Sequence, residues 1–219
     1  MRSVSILKNQ WSDSMTIHVG GFEPLTTIDY PDHLSCVVFT QGCPWRCGYC
    51  HNHDLIAANK PTAFDWGDIL KFIKSRQGLL DAVVFSGGEP CLQSDLFQAI
   101  TQVKALGFKV GLHTGGAYPQ RLKRCLPLVD WVGFDIKHLP LHYDLVTQTP
   151  HSAQKAWQSL ELLLDSGVEQ QLRITRHPSL MSDEELVQLQ RLIRRQYHQE
   201  LIVQTCNTSQ CLDEKLRLI

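Results

Sequence analysis

The residues best suited to do chemistry are concentrated in one short segment, TQGCPWRCGYCHN, at residues 40–52. It places Cys43, Cys47 and Cys50 in a C-x3-C-x2-C spacing, with the aromatic Tyr49 just before the last thiol. Cysteine thiolates hold iron–sulfur clusters and zinc ions in proteins. The first question is therefore which metal centre needs three thiols this close together.

Two kinds of metal centre could use these thiols. A structural zinc site takes four ligands, commonly as two C-x2-C pairs, so His51 and His53 would have to complete it here. Electron-transfer iron–sulfur clusters are normally held by four cysteines. Three thiolates on a cluster of four irons would leave one iron open to a small molecule that chelates it. The count of three therefore favours a cluster that binds a substrate, with zinc as the alternative.

Length, composition and charge limit the class of protein. The 219 residues, 43% hydrophobic and 20% charged, are typical of one soluble globular domain. A formal net charge of −1 does not indicate nucleic acid or an anionic membrane as a partner. No apolar run approaches the roughly 20 residues of a membrane span, and no signal peptide is visible. We expect a cytoplasmic protein whose eight cysteines are reduced, as ligands or buried thiols.

The first part of the chain differs from the rest. Residues 1–14 are polar and aperiodic, which predicts a flexible N-terminal extension. Alternatively, translation starts at Met15, where a more regular pattern begins. Residues 15–219 are predicted to form a single domain.

From there, predicted strands and helices alternate. The strands are expected at 34–39, 81–86, 108–113, 130–137, 168–176 and 200–205. Helices are expected at 65–76, 94–107, after Pro119, at 152–167 and at 182–196, with caps at Asp65, Ser94, Ser152 and Ser182 and with Glu185 completing a capping box. Strands joined by helical crossovers predict an α/β fold with a parallel sheet, either doubly wound or an incomplete barrel.

Polar and glycine-rich segments follow most of the predicted strands. In both arrangements the functional residues lie at the carboxyl ends of the strands. The segments are the cysteine segment itself, SGGEP at 86–90, HTGG at 113–116, DIKH at 135–138 and the stretch that begins at Arg173. Their common position predicts one shared site.

The cysteine spacing, with its aromatic residue, resembles the signature of the radical S-adenosylmethionine (SAM) enzymes. The longer segment IDYPDHLSCVVFTQGCPWRCGYCHN resembles the activating proteins of glycyl-radical enzymes, in particular those of anaerobic ribonucleoside-triphosphate reductases. The similarity extends from about Gly20 to the sixth predicted strand, and its motifs are specific up to Pro90. It implies an incomplete (β/α)6 barrel with parallel strands, in agreement with the strands predicted above.

The resemblance also implies a reaction. Cys43, Cys47 and Cys50 would be the catalytic residues, holding a [4Fe-4S] cluster whose open iron SAM chelates. One electron from the cluster would split SAM into methionine and a 5′-deoxyadenosyl radical. That radical would remove a hydrogen atom from a glycine α-carbon of the partner, an anaerobic ribonucleotide reductase. A flavodoxin- or ferredoxin-type protein would supply the electron.

Further residues would contact SAM if the resemblance holds. The G-G-E-P element would receive the amino group of SAM, and the D-x-K element would lie beside it, with Lys137 balancing the carboxylate. An ordinary salt bridge is the alternative explanation for Asp135 and Lys137. The residues implied in cofactor binding are Tyr49, Ser86, Gly87, Gly88, Glu89, Pro90, Thr114, Asp135, Lys137 and Arg173.

Two features depart from the family pattern. His113 stands where the family often has an acidic residue. Cys206 and Cys211 occupy a segment that in the family carries an aromatic-Arg-Pro pattern, and because two thiols alone make an incomplete site, we expect no second metal there. Cys36 and Cys125 are expected to be buried, inert thiols.

Other functions remain open at this point. A radical SAM enzyme could act on a small molecule, as 7-carboxy-7-deazaguanine synthase does. An activating enzyme could serve a pyruvate formate-lyase-type partner. A zinc or iron–sulfur module without catalysis is the third alternative.

Overall fold

The computed structural model describes residues 17–217. The predicted N-terminal extension, residues 1–14, lies outside this range. The strands are β1 (Val19–Thr26), β2 (Ser35–Thr40), β3 (Ala82–Gly87), β4 (Lys109–Thr114), β5 (Trp131–Asp135), β6 (Glu169–Arg176) and β7 (Leu201–Thr205). The α-helices are α1 (Trp66–Ser75), α2 (Leu96–Ala105), α3 (Pro119–Cys125), α4 (Tyr143–Thr147), α5 (Ser152–Ser166) and α6 (Asp183–Tyr197).

All seven strands belong to one sheet, in the order β1-β2-β3-β4-β5-β6-β7. Strands β2 to β7 are parallel to one another. Each strand pairs with its successor in the chain, so the strand order does not reverse. In a doubly wound sheet, by contrast, the order reverses at one point. Among the described strands, β1 and β7 form the two edges and do not pair, so the sheet is not closed. The prediction of an incomplete barrel is confirmed.

Strand β1 is the part of the sheet that the prediction missed. It pairs antiparallel with β2, whereas only parallel strands were predicted. Its sequence, VGGFEPLT, contains two glycines and a proline, which weaken a strand pattern. Proline is tolerated at a sheet edge because one side of an edge strand needs no hydrogen bonds. The six predicted strands are all present, with ends within two residues of the predicted ones.

Two of the four predicted helix caps are confirmed. The Asp65 carboxylate accepts a hydrogen bond from the Asp68 amide at the start of α1. Ser182 and Glu185 form the predicted capping box of α6, each side chain accepting from the other residue's amide. Such caps satisfy amides that have no partner inside the helix.

The other two predicted caps are wrong. Helix α2 begins one residue later than expected, and Asp95, not Ser94, occupies the N-cap position. Helix α5 is preceded by His151 in a left-handed conformation (φ 60°). The Ser152 hydroxyl donates to the Asp144 carboxylate instead, at 2.7 Å. The preceding short helix α4, which was not predicted, brings that carboxylate into place.

We expect the Ser182→Ala variant to lose about 1 kcal/mol of unfolding free energy, because the Glu185 amide at the start of α6 loses its cap. Urea unfolding followed by circular dichroism measures the change. Ser179→Ala is the matched control, since Ser179 is exposed and caps no helix, and should change stability by less than about 0.5 kcal/mol. Equal effects of the two variants would contradict the assigned cap.

The two faces of the sheet are covered differently. On one face, strand residues such as Val38 and Phe85 pack with the helices in the main hydrophobic core. On the other face lies a small separate cluster, in which Tyr30 stacks on Trp131 beside Val84. Side chains alternate along a strand, so residues two or four positions beyond Val84 and Trp131 lie on this same face.

None of the helices between residues 17 and 217 has the length and apolar character of a membrane span.

Candidate active site

A cavity of about 220 Å³ opens at the carboxyl ends of the strands, beyond the small apolar cluster. The predicted site residues that line it are Cys43, Cys47, Tyr49, Cys50, Ser86, Gly87, Gly88, Glu89, Thr114, Asp135 and Lys137. Pro90 and Arg173 do not line it. Pro90 is buried at the start of a short 3-10 helix, and the Arg173 side chain donates a hydrogen bond to the Asp135 carboxylate. The strand ends therefore bring most of the predicted residues together.

The sheet register explains this placement. Ser86 follows Val84 by two positions, and Asp135 follows Trp131 by four, so both share the face of the apolar cluster. His113 is two positions beyond Gly111, which pairs with Val84. One end of this face is thus apolar, and the other end presents polar side chains to the cavity.

The loop that carries the three cysteines is fixed from several sides by main-chain hydrogen bonds. The Arg46 amide donates to the Thr147 carbonyl of α4 at 2.9 Å. The Asp213 amide, in the C-terminal segment, donates to the Gly48 carbonyl at 2.9 Å, and the Glu89 amide donates to the Gly42 carbonyl at 2.9 Å. Backbone hydrogen bonds of this kind hold the thiols in position without using their side chains.

The spacing of the three thiols does not match a single zinc ion. Two sulfurs on one tetrahedral zinc lie about 3.8 Å apart, given a Zn–S bond of about 2.3 Å. In the described part of the chain, two groups of three potential metal ligands have all their donor atoms within 4.8 Å of one another, and neither contains Cys43, Cys47 or Cys50. Neither group contains His53, so the zinc alternative with His51 and His53 is not supported.

Burial makes these thiols weak acids. It raises the pKa of Cys43 to about 12. It raises the pKa of Cys47 to about 11, against the opposing effect of the Lys137 charge. Burial raises the pKa of Cys50 as well. Metal ligation requires the thiolate, so a bound metal centre must supply the energy to deprotonate them.

The Glu89 side chain connects the end of β3 to the end of β4 through hydrogen bonds. Its buried carboxylate accepts from the Thr114 hydroxyl at 2.7 Å, from the Gly115 amide at 3.0 Å and from the Cys91 amide at 3.0 Å. Burial raises the pKa of Glu89, while these donors favour the charged form. Glu89 and Thr114 are therefore engaged with each other, and they act as positioning residues for the cavity wall.

The two glycines before Glu89 let backbone form the cavity wall. A Cβ on Gly88 would overlap the Gly42 carbonyl oxygen of the cysteine loop. Gly87 has a φ of 111°, which favours glycine, and a Cβ there would come within 2.5 Å of the Thr40 amide nitrogen. Larger residues would push the cysteine loop away from β3.

Asp135 is the centre of a partly buried ion network. Its carboxylate accepts from Arg173 Nε at 3.0 Å and lies 3.8 Å from Lys137 Nζ. A Cβ on Gly133 would come within 2.8 Å of the guanidinium carbon, so glycine leaves the room that Arg173 needs. Burial alone would raise the pKa of Asp135, but the charges of Lys137 and Arg173 outweigh it and lower the pKa.

The Lys137 ammonium lies between Tyr49 of the cysteine loop and Asp135. Burial by itself lowers its pKa, and the surrounding Tyr49, Asp135 and Cys47 reverse this, so the pKa stands well above its ordinary value. Of these neighbours, Asp135 is the one that is charged at neutral pH. The ammonium also lies 5.8 Å from the centre of the Tyr49 ring, a cation–π distance.

His113 is neutral and structurally engaged. Burial lowers its pKa, and the nearby Arg173 charge adds to the effect. Its Nε2 lies 2.8 Å from the Asp29 carbonyl oxygen, which only accepts, so Nε2 carries the proton. Nδ1 is then an acceptor for the Ser86 hydroxyl at 3.4 Å. His113 therefore offers one hydrogen-bond donor and one acceptor, and it carries no charge.

Residues 37–193 match a family model described as the radical SAM superfamily. The chain belongs to the radical SAM superfamily. It is 29% identical over 185 residues to a Methanocaldococcus jannaschii protein whose name describes it as a glycyl-radical enzyme activating enzyme, covering 80% of this chain and 75% of that protein. It is 30% identical over 195 residues to the pyruvate formate-lyase-activating enzyme of Streptococcus mutans, covering 81% and 72%. Within the superfamily, it belongs with these activating enzymes.

A solved structure agrees at the level of the fold. The structure of His-tagged anSMEcpe with bound S-adenosylmethionine has a TM-score of 0.62 and 18% identity to this chain. The similar region covers 76% of this chain and 49% of that chain. This chain therefore spans about half the length of that chain.

Radical SAM enzymes use a [4Fe-4S] cluster together with SAM. The cavity fits this pair of groups: three thiols line it, and they are spaced more widely than one ion requires. Gly87 and Gly88 keep one wall free of side chains, and Lys137 provides a cation. The donor set thus suits an anionic cluster with a carboxylate-bearing ligand.

Several lining residues were not predicted. Trp45 packs its ring against Gly115, where a Cβ would overlap it. Asn52 and Thr175 also line the cavity. Trp45 and Asn52 lie inside the cysteine segment, and Thr175 lies in the strand-end stretch that begins at Arg173. The sequence therefore indicated these stretches but assigned no role to the three residues.

Proposed function

We propose that this radical SAM enzyme activates a glycyl-radical enzyme by removing one hydrogen atom from a glycine α-carbon, and that its target is an anaerobic ribonucleotide reductase. The observation that carries the proposal is the meeting of three cluster thiols, a glycine wall and Lys137 in one cavity. The choice of target rests on the segment at residues 28–52, with its Y-C-H-N end.

The chain's own residues have separate tasks in this proposal. Cys43, Cys47 and Cys50 hold the cluster, and the backbone at Gly87 and Gly88 receives the SAM amino group. Lys137 pairs with the SAM carboxylate, which is a charge-assisted contact in a partly buried site. When bound, the cluster and SAM supply one-electron chemistry that ends in hydrogen-atom removal.

The remaining residues orient the ligand and exclude water. Tyr49 and Trp45 are buried and present aromatic surface beside the thiols. Water exclusion protects reactive species from side reactions. The removal of a hydrogen atom needs no general acid or base, which agrees with a neutral His113 that is already hydrogen-bonded.

An open sheet suits a glycine that arrives on a polypeptide loop. Among the described strands, β1 and β7 do not pair with each other, so the barrel is open between these two strands. We further propose that a flavodoxin- or ferredoxin-type protein delivers the electron in a reducing cytoplasm, where the eight free cysteines stay reduced.

A second candidate target is a pyruvate formate-lyase-type enzyme. The name of the Streptococcus mutans relative favours it. Both targets present a glycine in a protein, so the same site serves either, and the difference lies in the surface that meets the partner.

The experiment is an activation assay under anaerobic conditions. Cluster-loaded protein, SAM and a reductant are mixed with a purified anaerobic ribonucleotide reductase or a pyruvate formate-lyase-type enzyme from the same source. We expect the electron spin resonance signal of a glycyl radical on the reductase. A reductase with its radical glycine replaced by alanine is the control and should give no signal.

The outcomes separate the alternatives. A radical on the lyase-type enzyme alone would assign the second target. SAM cleavage without a radical on either protein would refute the activase proposal and indicate a small-molecule substrate, as in 7-carboxy-7-deazaguanine synthase.

A further inference from the structure

A second group of metal ligands lies beside the cluster loop. It consists of His51, Cys206 and Cys211, whose donor atoms all lie within 4.8 Å of one another. Cys206 Sγ is 3.8 Å from His51 Nε2 and 3.8 Å from Cys211 Sγ. Both thiols are buried and neither forms a disulfide.

These distances fit one tetrahedral zinc ion. With Zn–S bonds of about 2.3 Å, two sulfurs on the same zinc lie about 3.8 Å apart. With a Zn–N bond of about 2.0 Å, a sulfur and a nitrogen lie about 3.5 Å apart. The observed separations of 3.8 Å are close to both values.

We propose that His51, Cys206 and Cys211 bind one zinc ion, at a site separate from the radical SAM cluster. Two thiolates and an imidazole form a ligand set that zinc uses with a fourth, open position. Among residues 17–217, no fourth histidine, cysteine or carboxylate joins this group, so water would occupy the remaining position of a bound zinc. His51 is exposed, which gives solvent access to it.

The sequence alone argued against this site because it showed only two thiols. The third ligand comes from the cluster loop, 155 residues away from Cys206 in the chain. His51 directly follows the cluster thiol Cys50, so the zinc would link the C-terminal segment to the cluster loop.

Other contacts already join these two segments. The Asp213 amide donates to the Gly48 carbonyl at 2.9 Å. A Cβ on Gly48 would lie 3.0 Å from Leu216 Cδ1, which shows how closely the two segments pack. A zinc ion would therefore fasten the C-terminal segment over the loop that holds the cluster.

The other group of potential ligands does not carry the same inference. It contains His138, His142 and Glu185. Both nitrogens of His138 are already used, one with the Leu180 carbonyl and one with the Leu139 amide. Glu185 completes the capping box of α6. The thiols of Cys206 and Cys211 have no comparable commitment, since their contacts are mainly with each other and with His51.

The test is a metal count on full-length protein with its cluster loaded. The protein is incubated anaerobically with zinc chloride, desalted, and analysed for iron, sulfide and zinc. We expect one zinc per chain beside four irons. The Cys206→Ala variant should lose the zinc and keep the irons. The same result is expected for His51→Gln, which changes an exposed ligand. Cys125→Ala, which removes a buried thiol elsewhere, is the matched control and should keep both.

Cobalt provides a second readout that does not depend on activity. Co²⁺ in place of zinc should give thiolate charge-transfer absorption in the wild type and in Cys125→Ala, and none in Cys206→Ala. Wild-type protein that binds no zinc, or Cys206→Ala and His51→Gln that bind it fully, would overturn the proposal. Iron above four per chain that disappears with Cys206 would also overturn it, in favour of a second cluster.

Discussion

The Cys47→Ala variant is expected to form no 5′-deoxyadenosine from SAM above the level of cluster-free protein. Cys47 is the middle thiol of the three. Main-chain hydrogen bonds hold its loop to α4 and to the C-terminal segment, so the loop cannot move to bring another cysteine into its place. Two remaining thiolates leave the cluster with too few ligands. The assay uses anaerobic, reconstituted and reduced protein, with the product quantified by chromatography.

Cys36→Ala is the matched control for this variant. Cys36 is fully buried in β2 and does not line the cavity, so its loss removes one thiol without touching the site. The control should retain iron, sulfide and product formation. Product at the wild-type level in Cys47→Ala would refute the assignment of Cys47 as a cluster ligand.

The parallel part of the fold could be predicted because its signals are local. Strands β2 (SCVVFT) and β3 (AVVFSG) are buried on both faces, so each contains a continuous apolar run, CVVF and AVVF, next to polar or small residues. Their order in the sheet follows from short connections. Strand β1 gave no such signal, since one of its edges faces no strand and its glycines and proline are tolerated there.

The helix starts show where local reasoning fails. Ser182 has its capping partner three residues away, so the sequence contains the whole motif. Ser152 also looked like a cap, but its hydroxyl is drawn to the Asp144 carboxylate of a preceding short helix. A competing partner outside the helix cannot be read from helix periodicity.

The site could be predicted as a set of positions, not as a set of contacts. The strand-end rule gathered the lining residues, because parallel strands end at one edge of a sheet. It did not reveal that Glu89 and Thr114 bind each other, nor that His113 reaches the Asp29 carbonyl. Those partners depend on side-chain directions between strands, which only the three-dimensional register determines.

Asp135→Asn is expected to lower the unfolding free energy of the cluster-free protein by about 3 kcal/mol. The substitution keeps the side-chain shape and removes the charge that compensates two cations. Lys137 and Arg173 have only 15% and 11% of their side chains exposed, so the surrounding water screens them poorly. Urea unfolding at neutral pH measures the loss. Asp68→Asn breaks an exposed pair with Lys71 and should cost less than about 1 kcal/mol.

The pH dependence gives this prediction a sign. The pKa of Asp135 is lowered in the folded protein relative to its ordinary value of 3.8. A lowered pKa means that the charged carboxylate stabilises the fold above pH 3.8, and that this stabilisation is lost as the pH falls through the folded-state pKa. The difference between wild type and Asp135→Asn should be constant from about pH 5 to 8 and should shrink below about pH 4.

A double variant separates charge balance from packing. If Asp135 stabilises the protein by compensating Lys137, then removing both charges should cost less than the sum of the single losses. Asp135→Asn combined with Lys137→Met should therefore recover part of the stability that Asp135→Asn loses. Strict additivity would show that the two side chains are not coupled, and Arg173, at 3.0 Å, would then be the partner that matters.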